Sequence, residues 1–277
     1  VSEKTFYVPY VYLWLSVGAH LTLPACCKDM KNSHMKRPEN GPDIFGKAIR
    51  DFYGSGTPDD IIVHSPDFED DVIPVPYLFR TFAEMPAIEQ KALQECRGRV
   101  LDVGCGAGSH ALFLQEQRKL EVTAIDTSEG AVEVSRLRGT RDSRQISFEE
   151  FSGERFDTLL LLMNGTGIVG KMSRLDEFFR KLKTLLHPDG QVLIDSSDLS
   201  YLFEEDEEGG IWIDASEGYY GELQYSLSYK GETSQEFDWL YLDFNSLNLA
   251  SRENGFDCEL LMEGLHYDYL AKLTLKA

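Results

Sequence analysis

Three glycines at alternate positions, Gly104, Gly106 and Gly108, follow a short apolar run and precede a segment compatible with a helix. The run covers residues 99–103 and the helical segment residues 109–115. A strand, a glycine-rich turn and a helix in this order present backbone N–H groups to a ligand at the carboxyl end of a parallel strand. Glycine is needed where a ligand approaches the backbone more closely than a β-carbon permits. The stretch therefore predicts a ligand site, and the alternative is a tight turn without a ligand.

The spacing of the glycines and a nearby acid indicate the charge of that ligand. The dinucleotide fingerprint G-x-G-x-x-G needs its third glycine where Ser109 stands. Asp102, two residues before the first glycine, would repel a pyrophosphate. A cationic ligand without phosphate suits this acid better.

A second acid ends the next predicted strand, which covers residues 121–125. Asp126 would point into the crevice at the carboxyl edge of the sheet, where a carboxylate accepts hydrogen bonds from both hydroxyls of a ribose. The alternative is that Asp126 caps the helix predicted over residues 128–138. Thr127 or Ser128 can provide that cap instead, which leaves the carboxylate free for a ribose.

Strands and helices continue to alternate after this point. Residues 156–163 form an apolar run, typical of a strand buried on both faces, and lead into Asn164 and Gly165 of a glycine-rich loop. Apolar residues at helical spacing predict an amphipathic helix over residues 175–186, and a fifth strand follows it at residues 191–195.

The chain resembles class I S-adenosylmethionine (SAM) dependent methyltransferases from about residue 48 to its C-terminus. The resemblance depends on four features in order: the glycine turn, Asp126, the Phe156-Asp157 strand and the Pro188-Asp-Gly190 turn. A bacterial, uncharacterised subgroup is similar also in Tyr-Leu-Phe-Arg at residues 77–80 and Asp-Ser-Ser-Asp at residues 195–198. The resemblance implies SAM as the cofactor and methyl transfer by in-line displacement as the reaction. It implies no particular acceptor.

The predicted fold is α/β, with a Rossmann-like, doubly wound and mostly parallel sheet. Residues 36–98 would form a helical N-terminal cap, and residues 99–277 the SAM-binding domain. Alternating aromatic residues predict a β-hairpin inserted after the fifth strand, within residues 200–243, as a lid or a dimer surface. An antiparallel strand pair is predicted over residues 256–262 and 267–275.

The first 35 residues differ from the rest in composition. Residues 6–25 are apolar and aromatic and approach the length of a membrane span, but Pro9, Gly18 and Pro24 interrupt them. Met35 stands just before the globular pattern begins. We expect residues 1–35 to be an upstream extension that is neither part of the fold nor an anchor.

Charge and cysteine content narrow the partners and the compartment. The formal net charge is −20, with 47 acids against 27 lysines and arginines, and such a surface repels a phosphate backbone. The five cysteines show neither metal-type spacing nor a disulfide framework, which suits the reducing cytoplasm. We therefore expect a cytoplasmic monomer or homodimer that holds no metal, contacts neither nucleic acid nor membrane, and acts on a small molecule.

The resemblance and the spacing together assign a set of site residues. We expect the cofactor to be bound by Tyr77, Arg80, Asp102, Gly104, Cys105, Gly106, Gly108, Asp126, Thr127, Asn164 and Gly165. Arg80 is expected to neutralise the carboxylate of the SAM methionine moiety, and the alternative is a surface ion pair with Asp70 or Asp71. Cys105 is expected to be a small filler of the turn.

Two parts of the site stay unassigned by the sequence. Tyr77, His110, Asp198 and Tyr220 are candidates for a catalytic base, and none stands out. Relatives carry an acid after the third strand for the adenine amino group, but Glu149 and Glu150 fit the register of the strand at 145–148 poorly.

The sequence thus predicts a SAM-dependent methyltransferase with an unidentified, small acceptor entering beside the fourth and fifth strands. A SAM-binding partner without catalytic activity is the alternative. An NAD-linked reductase is less favoured, because Ser109 and Asp102 argue against it.

Overall fold

Six α-helices and twelve strands form in the described residues, 41–56, 59–202 and 218–276, of this computed structural model. The helices are α1 (Ile44–Ser55), α2 (Ala87–Glu95), α3 (Ser109–Glu116), α4 (Glu129–Leu137), α5 (Leu175–Leu185) and α6 (Phe244–Glu253). The strands are β1 (Ile61–His64), β2 (Asp71–Ile73), β3 (Arg99–Val103), β4 (Glu121–Asp126), β5 (Ser143–Gln145), β6 (Phe156–Leu161), β7 (Leu186–Ser197), β8 (Glu222–Tyr229), β9 (Glu232–Thr233), β10 (Phe237–Leu240), β11 (Phe256–Glu263) and β12 (Asp268–Leu275). The predicted leader, residues 1–35, lies outside the described residues, as do residues 203–217 of the insertion.

The main sheet has the strand order β11-β12-β7-β6-β3-β4-β5. Strands β3 to β7 run parallel, while β12 is antiparallel to both β7 and β11. The chain extends the sheet in one direction from β3 to β5, and then returns to the other side of β3 with β6 and β7. The order therefore reverses between β3 and β6, and ligands bind outside the carboxyl ends of the strands at such a point. This sheet confirms the predicted fold class.

Burial explains why the central strands are apolar. In β6 every residue except Asp157 is buried, as expected for a strand covered by helices on both faces. Helix α5 places its apolar stripe, which includes Phe178, Phe179 and Leu182, in the same core cluster as Leu159 of β6. The rigid centre of the sheet thus carries the glycine turn that follows β3.

The segment before β3 is only partly helical, which corrects the helical cap predicted over residues 36–98. Helices α1 and α2 form, but residues 61–64 and 71–73 are strands. Around Tyr77 the cap contains two 3-10 turns, Val75–Phe79 and Phe82–Glu84, with an extended break at Arg80. Pro74 and Pro76 explain the difference, because proline lacks a backbone donor and favours an extended preceding residue.

The predicted hairpin is present as β8 and β10, with the short strand β9 beside β8. Lys230 and Gly231 both have positive φ, at 47° and 80°, as a two-residue type I′ turn requires. The hairpin is not a separate insertion, because β8 also pairs with β1 to give a second sheet of order β10-β8-β1-β2. The side chains of this sheet pack with Ala107 of the glycine turn and Met163 after β6. The second sheet therefore lies against the carboxyl edge of the main sheet.

Two smaller differences concern strand ends. Strand β5 ends at Gln145, where the sequence predicts the strand to begin. Strand β7 begins at Leu186, and its register against β6 shifts before Gln191, so that the predicted Pro188-Asp-Gly190 turn leaves the regular ladder.

Among the described residues, no helix is both long and apolar enough to cross a membrane.

Candidate active site

The glycine turn after β3 is fixed against the end of β4. The backbone N–H groups of Gly104 and Cys105 both donate to the carbonyl of Ile125, at 2.9 and 3.0 Å. Gly104 and Gly106 have φ of 75° and 51°, a region that side chains rarely adopt. A β-carbon at Gly104 would meet nothing within 4 Å, and one at Gly106 would meet only the ring of Phe45, at 3.9 Å. Both glycines therefore leave open space beside a fixed turn.

Gly108 is needed for a different reason. Its φ is 84°, and a β-carbon there would lie 2.5 Å from Ser135 Oγ and 2.8 Å from Thr140 Oγ1. The glycine thus lets α3 pack closely on α4. Cys105 is buried in the same turn, and burial raises the pKa of its thiol well above the ordinary value. A protonated, buried thiol is a poor nucleophile, which agrees with the predicted role as a filler.

The carboxylate of Asp126 lies against the glycine turn. Its Oδ2 accepts the N–H of Gly106 at 2.8 Å, and its Oδ1 accepts the N–H of Ser128 at 2.9 Å. Ser128 is the N-cap of α4, since its hydroxyl accepts from Ala131 N. The helix therefore has a cap of its own, and Thr127 is exposed beside it. Ribose binding by Asp126 stays a prediction.

Asp102 is almost completely buried, with 2% of its surface exposed. Its Oδ2 has no hydrogen-bond partner among the described residues. Burial raises the pKa of Asp102 to about 6, although the charge of His110 acts to lower it. A buried carboxylate oxygen without a donor costs free energy, and a cationic donor of a ligand would remove that cost.

Arg80 is buried in an ion cluster. Its guanidinium donates from Nη2 to Glu89 at 2.5 Å and from Nη1 to the Tyr77 carbonyl at 2.9 Å. It also stacks over the Tyr77 ring, 4.0 Å from the centroid. The alternative of a surface pair with Asp70 or Asp71 is wrong, because Arg80 is 6% exposed and its acidic partner is Glu89.

His110 belongs to the same cluster. Its ring is 7% exposed, and Nε2 lies 2.9 Å from Glu89 Oε2. Glu89 itself was not among the predicted site residues. Nothing in the sequence of α2 distinguishes Glu89 from an exposed acid, so only the structure could find it.

Asn164, a predicted cofactor residue, uses its side chain within the fold. Its side chain is buried and donates from Nδ2 to the Leu240 carbonyl at 3.2 Å, while its Oδ1 accepts from Ser196 Oγ at 2.8 Å. The side chain is thus committed to the contact between β7 and the hairpin. Gly165 is enclosed as well, since a β-carbon there would lie 2.7 Å from the Leu161 β-carbon. Only the backbone of these two residues is left for a cofactor contact.

Asp195 is a further buried carboxylate at the end of β7, and the predicted set does not include it. Its oxygens accept the N–H groups of Gly165, at 2.8 Å, and Met163, at 3.1 Å. Burial raises its pKa to about 7, although these hydrogen bonds favour the charged form. Asp195 therefore fixes the turn after β6.

The structure brings together two of the predicted catalytic candidates. The Tyr220 hydroxyl donates to Asp198 Oδ1 at 2.8 Å, and the neighbouring Tyr219 hydroxyl donates to Asp243 Oδ2 at 2.7 Å. These pairs lie where β7 ends and the hairpin begins.

Glu149 and Glu150 remain unassigned. Glu149 is exposed, lies 3.4 Å from Arg174, and lines an open cavity of about 310 Å³ against α5 that contains none of the predicted site residues. Glu150 accepts from the Ser147 hydroxyl at 3.2 Å.

Within the described ranges, no group of three His, Cys, Asp or Glu side chains is arranged to hold a metal ion.

The main sheet is doubly wound, a glycine turn follows β3, and an acid lies near the end of each of β3 and β4. These features define a class I methyltransferase fold. Residues 101–194 match the family model described as a methyltransferase domain. The chain is similar to a SAM-dependent methyltransferase from Bacteroides fragilis, whose crystal structure contains S-adenosyl-L-homocysteine (SAH). The two are 48% identical, with a TM-score of 0.78, over 85% of this chain and 95% of that chain.

More distant structures share the fold alone. The CcbJ methyltransferase from Streptomyces caelestis is 13% identical, with a TM-score of 0.52, over 71% of this chain and 98% of that chain. The sugar N-methyltransferase KedS8 from Streptoalloteichus sp. ATCC 53650 is 16% identical, with a TM-score of 0.52, over 94% and 100% of the two chains. A comparison with curated protein sequences finds no match.

The chain belongs to the SAM-dependent methyltransferases. It is therefore an enzyme with SAM as its cofactor, and the two alternatives, a non-catalytic SAM-binding partner and an NAD-linked reductase, are not supported.

Proposed function

We propose that the protein transfers the SAM methyl group to a small, uncharged or cationic acceptor, in the cytoplasm, where SAM is made and used. The observation that carries this proposal is the chemistry where β7 meets the hairpin. There the hydroxyls of Tyr219 and Tyr220 are hydrogen-bonded to the carboxylates of Asp243 and Asp198. Aromatic rings and carboxylates attract a cation and repel phosphate groups. The net charge of −20 acts in the same direction.

The described residues fit SAM. Its methionine moiety carries an ammonium and a carboxylate. Among the buried side-chain atoms of the described residues that have no hydrogen-bond partner, two belong to charged groups, Asp102 Oδ2 and Arg80 Nε. Gly104 and Gly106 leave room for close approach to the backbone. Asp126, which lies against Gly106, would hold the ribose hydroxyls.

The methyl group of SAM is already activated by the sulfonium, so the work of the protein residues is to align the acceptor and exclude water. An oxygen or nitrogen acceptor also needs a group that takes its proton. Burial is the main cause that raises the pKa of Tyr77 and of Tyr220, so both hydroxyls stay protonated at neutral pH. The ring of His110 is bound to Glu89. His110 is also buried, whereas Asp198 is half-buried and already accepts a hydrogen bond from the Tyr220 hydroxyl, so of the four candidates we propose Asp198 as the proton acceptor.

The acceptor class is tested by methyl transfer from labelled SAM to four pools: tRNA, DNA, a protein extract and a small-metabolite extract. We expect label in the small-metabolite pool, because an acidic, aromatic site recognises small neutral or cationic molecules. Fractionation of that pool by cation exchange would then distinguish a cationic acceptor, which is retained, from an uncharged one.

The control is the Gly106→Val protein, in which the cofactor site is blocked and no pool should be labelled. Labelling of tRNA or DNA alone by the wild-type protein would contradict the proposed acceptor class while leaving the methyltransferase activity intact.

The role of Asp126 is tested by Asp126→Ala. Loss of charge-assisted hydrogen bonds to the ribose is worth about 1.5 to 3 kcal/mol, so SAM should bind about ten- to a hundredfold more weakly in calorimetry. Ser128→Ala is the matched control, because it removes the cap of α4 and leaves the carboxylate in place. A change below about twofold in Asp126→Ala would show that the carboxylate serves the turn and the helix alone.

A further inference from the structure

Glu89 lies at the centre of the buried cluster beside the glycine turn. It is 3% exposed, and one of its oxygens, Oε2, is bound by Arg80 at 2.5 Å and by His110 at 2.9 Å. The Tyr77 hydroxyl is hydrogen-bonded to Glu89 as well. A single carboxylate thus joins the 3-10 turn of residues 75–79, helix α2 and the first turn of α3.

The cluster keeps Glu89 charged. Burial alone would raise the pKa of Glu89, but the hydrogen bonds and charges of His110 and Arg80 outweigh burial and hold its pKa below the ordinary value. A buried ion pair gives little net stability compared with apolar residues of the same size, since both charges lose their hydration. What the pair does provide is a fixed orientation of the guanidinium.

One nitrogen of Arg80, Nε, has no partner in this orientation within the described part of the chain. Its Nη1 and Nη2 are used by the Tyr77 carbonyl and by Glu89, and its flat face lies on the Tyr77 ring. Its Nε is buried and has no partner among the described residues. A guanidinium held in this way presents its charged Nε–H to an anion.

A second charged side chain also has a buried atom without a partner among the described residues. Asp102 Oδ2 is a buried acceptor without a partner, and the charge of His110 acts on Asp102. His110 therefore interacts with both acids, through a hydrogen bond to Glu89 and through its charge on Asp102. One unsatisfied cationic donor and one unsatisfied anionic acceptor suit a ligand that carries a carboxylate and an ammonium, which is the tail of an α-amino acid.

We propose that Glu89 is a positioning residue that orients Arg80 for the carboxylate of the amino-acid tail of the cofactor, so that the enzyme prefers ligands with that tail. The proposal rests on the proposed placement of SAM. Glu89 contacts no part of the ligand in this arrangement, and it acts through Arg80.

The test compares two ligands that differ by the tail: SAH, which has it, and 5′-methylthioadenosine, which lacks it. In calorimetry, Glu89→Gln is expected to weaken SAH binding about tenfold or more, since it removes the charge that orients the guanidinium. Binding of 5′-methylthioadenosine should change by less than about twofold, because that ligand does not reach Arg80. Glu95→Gln is the matched control on the same helix, where Glu95 pairs with Lys91 at the surface, and should change neither affinity.

Glu89→Asp keeps the charge and shortens the reach, so it provides the same comparison if Glu89→Gln does not fold. It should lose SAH affinity to a smaller extent. Equal weakening of both ligands would overturn the proposal, because a loosened fold affects them alike, and so would unchanged SAH binding. Failure of the wild-type protein to bind SAH would overturn the proposed cofactor site itself, which separates the two conclusions.

Discussion

Replacing Gly106 by valine is expected to reduce SAM binding below detection in calorimetry. At this position φ is 51°, and the space where a β-carbon would project is open, with Phe45 Cε1 the nearest atom at 3.9 Å. A valine side chain would occupy that space, and its β-branch tolerates positive φ poorly. The N–H of Gly106 also anchors Asp126 at 2.8 Å, so displacement of this backbone would disturb the proposed ribose contact.

Strain alone must be separated from obstruction of the ligand. Gly153→Val is the matched control, because Gly153 also has positive φ, at 87°, and open space around it, but lies in the loop before the amino end of β6. Strain at either position costs on the order of 1 to 3 kcal/mol, so both variants should lose similar thermal stability. Only Gly106→Val should lose SAM. Wild-type affinity in a folded Gly106→Val protein would exclude a ligand at this turn.

The glycine turn could be predicted from the sequence because its signals are local. A short apolar strand, three glycines and a helix follow one another within residues 99–116, and the backbone at Gly104 and Gly106 requires glycine for conformational reasons. The hairpin was predictable for the same reason, since alternation and a turn containing Gly231 are both short-range patterns.

The second sheet could not be predicted in this way. Strand β1 has four residues and β2 has three. Strand β1 pairs with β8, about 160 residues further along the chain, and β2 pairs with β1. Neither run is long enough for alternation to be distinctive. The sequence therefore predicts a helical cap, whereas the long-range pairing of β1 with β8 makes part of this segment a sheet.

Two buried acids, Glu89 and Asp195, also escaped prediction. Glu89 lies among Gln90, Lys91 and Glu95 in a helix whose composition is typical of a surface element. Its burial depends on Arg80 and His110, which are distant in sequence, and no periodicity encodes that arrangement. Residues such as Glu89, which act through partners elsewhere in the fold, can be identified only from contacts in the structure. Residues such as Gly104 and Gly106, which act through backbone geometry, can be identified from the sequence.

Replacing Asp102 by asparagine is expected to stabilise the protein without ligand and to weaken SAM binding. Burial raises the pKa of Asp102 to about 6, whereas an unfolded aspartate titrates near 3.9. Between these pH values the carboxyl group is ionised in the unfolded chain and protonated in the native one, so its ionisation lowers native stability as the pH rises. At pH 8 the full cost is present, and Asp102→Asn should raise the free energy of unfolding by roughly 1 to 3 kcal/mol. Near pH 4 the gain should disappear.

The same substitution places a neutral amide where the proposed site offers the cofactor ammonium a carboxylate. Loss of a charged hydrogen bond with its buried partner is worth about 3 kcal/mol, so SAM should bind about a hundredfold more weakly in calorimetry at pH 8. Asp157→Asn, at the amino end of β6, is the control, since that carboxylate accepts from Arg99 N, and SAM affinity should not change. A gain in stability together with a loss of SAM affinity would show that the buried charge of Asp102 destabilises the fold and contributes to ligand binding. A variant that is less stable at pH 8 and binds SAM normally would assign the carboxylate to the fold alone.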